Sequence, residues 1–389
     1  MQLSIIILNY NVRYFLETCV LSVQKAIEHL DAEIIVVDNN SSDESCHMMK
    51  SRFPNIQLIE NNENVGFPKG NNIGVANAKG EFICILNPDT VIAEDTFTKI
   101  LAQFSDEKFT SEIGIIGCKL TDGCGNFLPE SKRGLPTPWV SLTKIFGLYK
   151  MFPKLKLFNQ YYAQHIQQNT SAKTDILVGA FMVMKRQLYN DLGGFDENCF
   201  MYSDDIDLSY LSIKSGKSNY YFHETTVIHY KGESTVKDGA YIKRFQEAMN
   251  FFYKKHFKVS FFFSLFMKIG IVIFSIIKMF QGKPTAVSKP NSYILISNNN
   301  DLKLKLELQL QTKITQIVPE NSNQFSTEFA SSKTKTEYII DLDCYTFAQA
   351  ITFFNQNKHK NTTFKLRPPH SNFIIGSNSS NDRGEVIVF

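Results

Sequence analysis

Two groups of carboxylates and one histidine are the side chains in this sequence best suited to chemistry. Asn87-Pro88-Asp89-Thr90 follows the apolar run at 81–86, and a carboxylate exposed at a strand terminus can hold a divalent cation through oxygen. Asn-Pro-Asp is also good turn chemistry, so Asp89 by itself decides little. Asp204-Asp205-Ile206-Asp207 opens a helical stretch. Acids in a first turn complement the helix dipole, which accounts for Asp207, whereas an acidic pair beside a cleft can take a proton from a hydroxyl. His229 stands in the apolar run Val227-Ile228-His229-Tyr230, where a histidine packs in a core unless a metal claims it. The loop at 64–74 carries Gly66, Gly70 and Gly74 with Asn71 and Asn72. Glycines there allow either a close approach of backbone to a ligand or a plain turn.

These side chains need elements to bring them together. Continuous apolar runs at 3–8, 33–38, 56–60, 81–86 and 113–117 alternate with helix-like stretches at 13–29, 43–52, 70–78 and 94–104. That alternation predicts an α/β fold with a mostly parallel sheet and helices on both faces. Runs that do not alternate suit strands covered on both sides. Polar residues gather where strands end, at Asn9 to Asn11, Asp38 to Asp43 and Asn87 to Asp89, so one sheet edge collects them, as at ligand sites of open α/β sheets. Residues 121–172, with four prolines, read as a partly helical insertion; a buried strand is expected at 175–186, a helix at 205–214, strands at 218–223 and 227–230, and a helix at 239–257.

The rest of the chain divides further. Residues 259–280 are apolar and long enough to span a bilayer, yet Lys268 sits in their middle. On a helical wheel Ser260, Ser264, Lys268, Ser275 and Lys278 share an arc of about 80°, and lysines flank the segment, which suits a helix lying in the membrane interface; packing on the last domain is the alternative. Residues 284–389 begin with prolines and alternate short strands (292–297, 336–342, 363–367, 372–376) with helices (301–311, 345–356), a small α/β domain without recognisable chemistry. The organisation expected is therefore a catalytic domain at 1–257, an amphipathic membrane-associated helix at 258–283 and a small α/β domain at 284–389.

Composition narrows the class. The chain has 389 residues, 43% hydrophobic and 20% charged, which excludes disordered and fibrous proteins. A net charge of +3 is too balanced for a dedicated nucleic-acid binder. Seven scattered cysteines without a CxxC pair give neither a disulfide framework nor a zinc site. The run at 3–8 is too short for a signal peptide and no basic segment precedes it, so a cytoplasmic location is expected.

In order along the chain, Ser-Ile-Ile-Ile-Leu-Asn-Tyr-Asn, Val-Val-Asp-Asn-Asn-Ser-Ser-Asp, Asn-Val-Gly-Phe-Pro-Lys-Gly-Asn-Asn-Ile-Gly and Leu-Asn-Pro-Asp resemble the inverting family 2 glycosyltransferases, nearest their rhamnosyltransferase-like branch. Gly-Gly-Phe-Asp-Glu with Met-Tyr-x-Asp-Asp-Ile-Asp-Leu, and Val-Ile-His-Tyr-x-Gly-x-Ser, are similar to the later motifs of that family, so the resemblance covers residues 1 to about 255. It implies a GT-A type nucleotide-sugar-binding fold. Asp38 matches the aspartate that accepts from the nucleotide base, with Asn9, Asn11, Gly66, Asn71 and Asn87 around the donor nucleotide. Asp89 matches the cation ligand of an Asp-x-Asp motif whose first carboxylate is here Asn87, and His229 matches the histidine that completes coordination of Mg²⁺ or Mn²⁺. Asp205 aligns with the catalytic base; Asp204, Asp196, Gly179 and Ala180 fall on the acceptor and sugar side.

The function implied is transfer of a sugar, with inversion, from a nucleotide-diphosphate donor to a hydroxyl of a glycan or lipid-linked acceptor, in cell-surface polysaccharide synthesis at the inner face of the membrane. The alternative is a catalytically silent nucleotide-sugar-binding protein of the same fold, for which Asn87 is the one feature. A dinucleotide-dependent enzyme is set aside because no GxGxxG follows the first strand.

Overall fold

Seven consecutive residues of β1 (Leu3–Asn9) are buried, and β2 (Ala32–Asp38) and β4 (Phe82–Leu86) lie parallel on either side of it. The computed structural model describes residues 1–105, 112–231, 239–257, 289–318, 334–378 and 384–389. Helices α1 (Arg13–Ala26), α2 (Ser45–Arg52) and α3 (Phe67–Ala76) make the crossovers, with β3 (Gln57–Glu60) beside β2. The element β5 (Thr90–Val91) follows β4 at once, then α4 (Thr96–Ser105) and β6 (Ile113–Thr121).

The insertion is partly helical, with α5 (Pro138–Ile145) and α6 (Leu148–Met151), and ends in β7 (Ala172–Thr174). Then come β8 (Phe181–Lys185), α7 (Arg186–Asp191), α8 (Asp204–Lys214), β9 (Ser218–His229) and α9 (Gly239–His256). Together the strands form one sheet in the order β3-β2-β1-β4-β8-β6-β9-β5, with β7 also on β9. Its first half is parallel; β8 runs antiparallel to both β4 and β6, which are its neighbours. The strand expected at 175–186 begins only at Phe181, because Ile176 instead bridges Arg133 in the insertion.

A second sheet, in the order β11-β10-β12-β13-β14-β15, contains β10 (Ser292–Ile296), β11 (Ile314–Ile317), β12 (Thr336–Asp341), β13 (Thr362–Arg367), β14 (Phe373–Gly376) and β15 (Glu385–Val388). It is flanked by α10 (Asn300–Leu310) and α11 (Phe347–Gln356). Besides cores of their own, the two sheets share a further one. Val12, Phe15, Val91, Ile228 and Tyr230 of the first unit pack in one apolar cluster with Phe347, Phe353 and Phe373 of the second. Glu94 accepts from Phe347 N (2.7 Å) and Ala348 N (2.9 Å), satisfying amides that α11 leaves without helical partners. The segment 258–283, expected to lie on a membrane, is outside the described residues; among those described, no helix is long and apolar enough to cross one.

Candidate active site

Parallel strands β2, β1 and β4 end on the same edge, and β8, antiparallel to β4, begins there. Asn9 pairs in register with Asp38, and Asn9 Nδ2 donates to Asp38 Oδ1 at 2.7 Å. Asp38 Oδ2 also accepts from Ser41 N at 2.7 Å, so the loop after β2 fixes a carboxylate that is 2% exposed. Each oxygen keeps a second lone pair for a further donor. Asn9 Oδ1 is buried without a hydrogen-bond partner. Asn11, at φ 56°, accepts from Ser42 N and joins the first two loops.

The loop glycines serve packing. Gly66, at φ +85°, precedes α3, and a Cβ there would lie 2.8 Å from Phe200. The backbone at Gly66 therefore approaches an aromatic ring, so a side chain there would collide with it. Asn71 donates to Phe67 O, and its Oδ1 is buried with no partner, whereas Asn72 is bound to Phe195 O, Glu197 and Tyr189.

Asn87, just past β4, donates its amide to Ala180 O (3.0 Å), which stitches the end of β4 to the start of β8. The pairing of Thr90 with His229 brings β5 against β9 and sets the histidine over the turn. His229 Nε2 is 3.3 Å from Asp89 Oδ1 and 3.4 Å from Asn87 Nδ2. Asp89 is 5% and His229 7% exposed, and His229 Nδ1 is buried without a hydrogen-bond partner. Among the described residues no three His, Cys, Asp or Glu side chains converge on a metal-sized site. The protein thus offers one carboxylate and one imidazole, with an amide beside them, a donor set that oxygens of a bound diphosphate would have to complete.

The acidic pair opens α8 next to the same edge. Asp205 Oδ2 accepts from Gly179 N at 3.1 Å and from Arg133 at 2.5 Å. Gly179 has room: a Cβ there would meet Asp205 and Phe67 only at ordinary contact distance. Burial, then the neighbouring Asp205 charge, push the Asp204 pKa from 3.8 up to about 7, and its Oδ1 is buried without a partner. Two adjacent carboxylates, of which the guanidinium of Arg133 pairs with Asp205, cannot both hold full charge cheaply. Asp196 is engaged elsewhere, by Lys255 (2.6 Å) and Asn198 (3.0 Å), and lines a 350 Å³ cavity with Asn72, Glu197 and Lys255. Asp207 turns the other way, held by Lys255 (2.9 Å) and His256 of α9.

Arg133 is the site residue that sequence reasoning missed. It stands 72 positions from Asp205, in the insertion, and its signal is compositional: it is the sole arginine in a stretch, 131–174, without any Asp or Glu.

Residues 4–193, just under half of the chain, match the model of glycosyl transferase family 2, and this part of the chain is a glycosyltransferase domain of that family. Among named relatives, it is 24% identical over 249 residues to N-acetylglucosaminyl-diphospho-decaprenol L-rhamnosyltransferase of Mycobacterium tuberculosis, covering 61% of this chain and 79% of that one. It is 25% identical over 213 residues to a low-salt glycan biosynthesis hexosyltransferase of Haloferax volcanii, covering 54% and 61%. A mannosyltransferase from Pyrobaculum calidifontis, solved with GDP-Man and Mn²⁺, aligns at a TM-score of 0.45 and 17% identity over 73% of this chain and 76% of that one.

Proposed function

We propose that the chain transfers a sugar, with inversion, from a nucleotide-diphosphate donor to a hydroxyl of a glycan or lipid-linked acceptor at a membrane surface, in cell-surface glycan synthesis. The observation that carries this reading is a row of contacts along one sheet edge: Asp38 to Asn9, Asn87 to Ala180, Gly179 to Asp205, with Asp89 and His229 beside Asn87. Strands β2, β1, β4 and β8 are successive neighbours, so the edge spans about 14 Å at about 4.8 Å per step.

In this reading Asn9 and Asp38 hold the nucleoside, Asp38 with its remaining lone pairs. Asp89 and His229 would hold a divalent cation, which when bound neutralises charge on the diphosphate leaving group. The Asn87 amide keeps hydrogen-bonding capacity there without adding charge. The acceptor oxygen attacks the anomeric carbon as the bond to the diphosphate breaks on the opposite face, and a single displacement inverts the centre. The acceptor proton passes to Asp205, which Arg133 and the Gly179 amide orient. Its neighbour Asp204, protonated below about pH 7, limits repulsion in the pair there. The named relatives above, a rhamnosyltransferase acting on a diphospho-decaprenol and a glycan-synthesis hexosyltransferase, support the acceptor class.

The test is nucleotide release from a panel of nucleotide sugars, with and without Mg²⁺ or Mn²⁺. Asp89→Ala and His229→Ala should abolish the metal-dependent signal while the melting temperature stays near wild type. Undiminished turnover in excess chelator would refute the cation assignment. Asp205→Asn should lower turnover by about 10² or more with donor binding kept; a mild Asp205→Asn beside a crippled Asp204→Asn would transfer the role of base to Asp204.

A further inference from the structure

We propose that residues 139–157 form a docking surface for an anionic lipid membrane. The inference adds a place of contact to the membrane-surface setting proposed above, and it does not depend on the catalytic chemistry.

Half of the large apolar side chains exposed among the described residues fall within these 19 positions: Trp139, Phe146, Met151, Phe152, Leu155 and Leu157, from 42% to 67% exposed. Exposed apolar residues scattered singly need no explanation, but a contiguous group does. These are held together. Trp139 Nε1 donates to Leu157 O at 3.0 Å, and Phe158 packs between Trp139 (6.0 Å) and Phe152 (5.3 Å), so the turns after α6 are fastened to α5.

Charge identifies the occupant. Residues 131–174 contain seven Lys and Arg and no Asp or Glu, and Lys150, Lys154 and Lys156 are exposed among the apolar side chains. A second copy of this face would meet it with like charge. The chain's own segment 258–283 would do the same, since it contributes Lys258, Lys268, Lys278 and Lys283 and no carboxylate. Aromatic and leucine side chains set among lysines match an interface of acyl chains below anionic headgroups.

The surface is also bordered by α9, which precedes that segment in the chain. Tyr253 of α9 bonds Ser141 and donates to Pro136 O at 2.9 Å, and Phe257 packs in one cluster with Leu135 and Ile145. Phe257, the last described residue before the apolar 259–280 run, therefore lies at the border of the patch.

Trp139 is the sole tryptophan of the chain, so its fluorescence reports this patch alone. The full-length protein is mixed with phosphatidylcholine vesicles and with phosphatidylcholine–phosphatidylglycerol vesicles, plain or with brominated acyl chains. A blue shift and bromine quenching are expected with the anionic vesicles and not with the neutral ones. Reversing Lys150, Lys154 and Lys156 to Glu, all at exposed positions, should lower vesicle partitioning on the order of 10²-fold or more, at about 5-fold per lysine removed. Leu155→Ser with Leu157→Ser should weaken both quenching and partitioning. Co-flotation with unchanged Trp139 emission would overturn the proposal, since another segment would then make the contact. Undiminished partitioning of the lysine variant would overturn it too. Donor turnover, followed in the same variants without vesicles, should equal wild type, so failure of the docking surface is distinguishable from failure of the glycosyltransferase reading.

Discussion

Asp204→Asn is expected to make the protein harder to unfold at alkaline pH. The carboxyl is buried, Oδ1 has no partner, and burial together with the Asp205 charge moves its pKa from 3.8 to about 7. The folded state therefore holds this proton more tightly than the unfolded state, and acid favours folding. Below about pH 4 both states are protonated and the residue costs nothing. Between about pH 4 and about pH 7 the unfolded chain gives up its proton first, so stability falls as pH rises, and above about pH 7 the full cost is present. At 1.36 kcal/mol per pH interval of one, that cost is up to about 4 kcal/mol, of which about 3 kcal/mol accrues above pH 5. Asparagine keeps the shape and carries no charge, so it removes the whole dependence. Thermal unfolding of wild type and variant at about pH 5 and about pH 8 reads this directly, with a gap in melting temperature that widens by roughly 5 °C toward the higher pH. A gap that stays constant, or a variant less stable than wild type at the higher pH, would refute the reasoning: Asp204 would then be a paired, fully charged carboxylate at neutral pH.

Two further outcomes follow from packing. Glu94→Gln keeps one acceptor but removes the charge facing the start of α11, and should lower stability by about 1 kcal/mol and speed proteolysis within 334–378; an unchanged digestion pattern would count against the contact. Gly74→Ala would set a Cβ 2.4 Å from Ile6 Cγ2, a stiff β-branched side chain, so a net loss of about 1–2 kcal/mol is expected even though alanine favours helix; a neutral melting temperature would mean α3 sits further from the sheet.

The strands at the nucleotide end were legible because each is a continuous apolar run that stops at Asn or Asp. The start of α3 was read three residues late: Gly66 at φ +85° breaks the chain there, and Pro68, which looks like a helix breaker, sits in the first turn where its missing amide costs nothing. The strand Thr90–Val91 has too few residues to show a period, and only its pairing with β9 reveals that it carries His229 to Asp89. Arg133 could not be joined to Asp205 by any local pattern, since the ion pair depends on how the insertion folds back over α8. Glu94, which looks like an ordinary acid before α4, took its meaning from amides more than 250 positions away.

The shared apolar cluster has a consequence for the birth of the molecule. Val12 and Phe15 leave the ribosome early, while Phe347, Phe353 and Phe373, which cover them, are made more than 330 residues later. At 5–20 residues per second the interval is roughly 20–70 s. For that time Val12 and Phe15 lack the cover that Phe347, Phe353 and Phe373 will give them. A nascent chain in this state can pair β1, β2 and β4 and seat Phe222 and Val227 of β9 in the first core, but Ile228 and Tyr230, on either side of His229, lack the cover of the second sheet. The packing around Ile228 and Tyr230 is then completed last, when the second sheet closes against them.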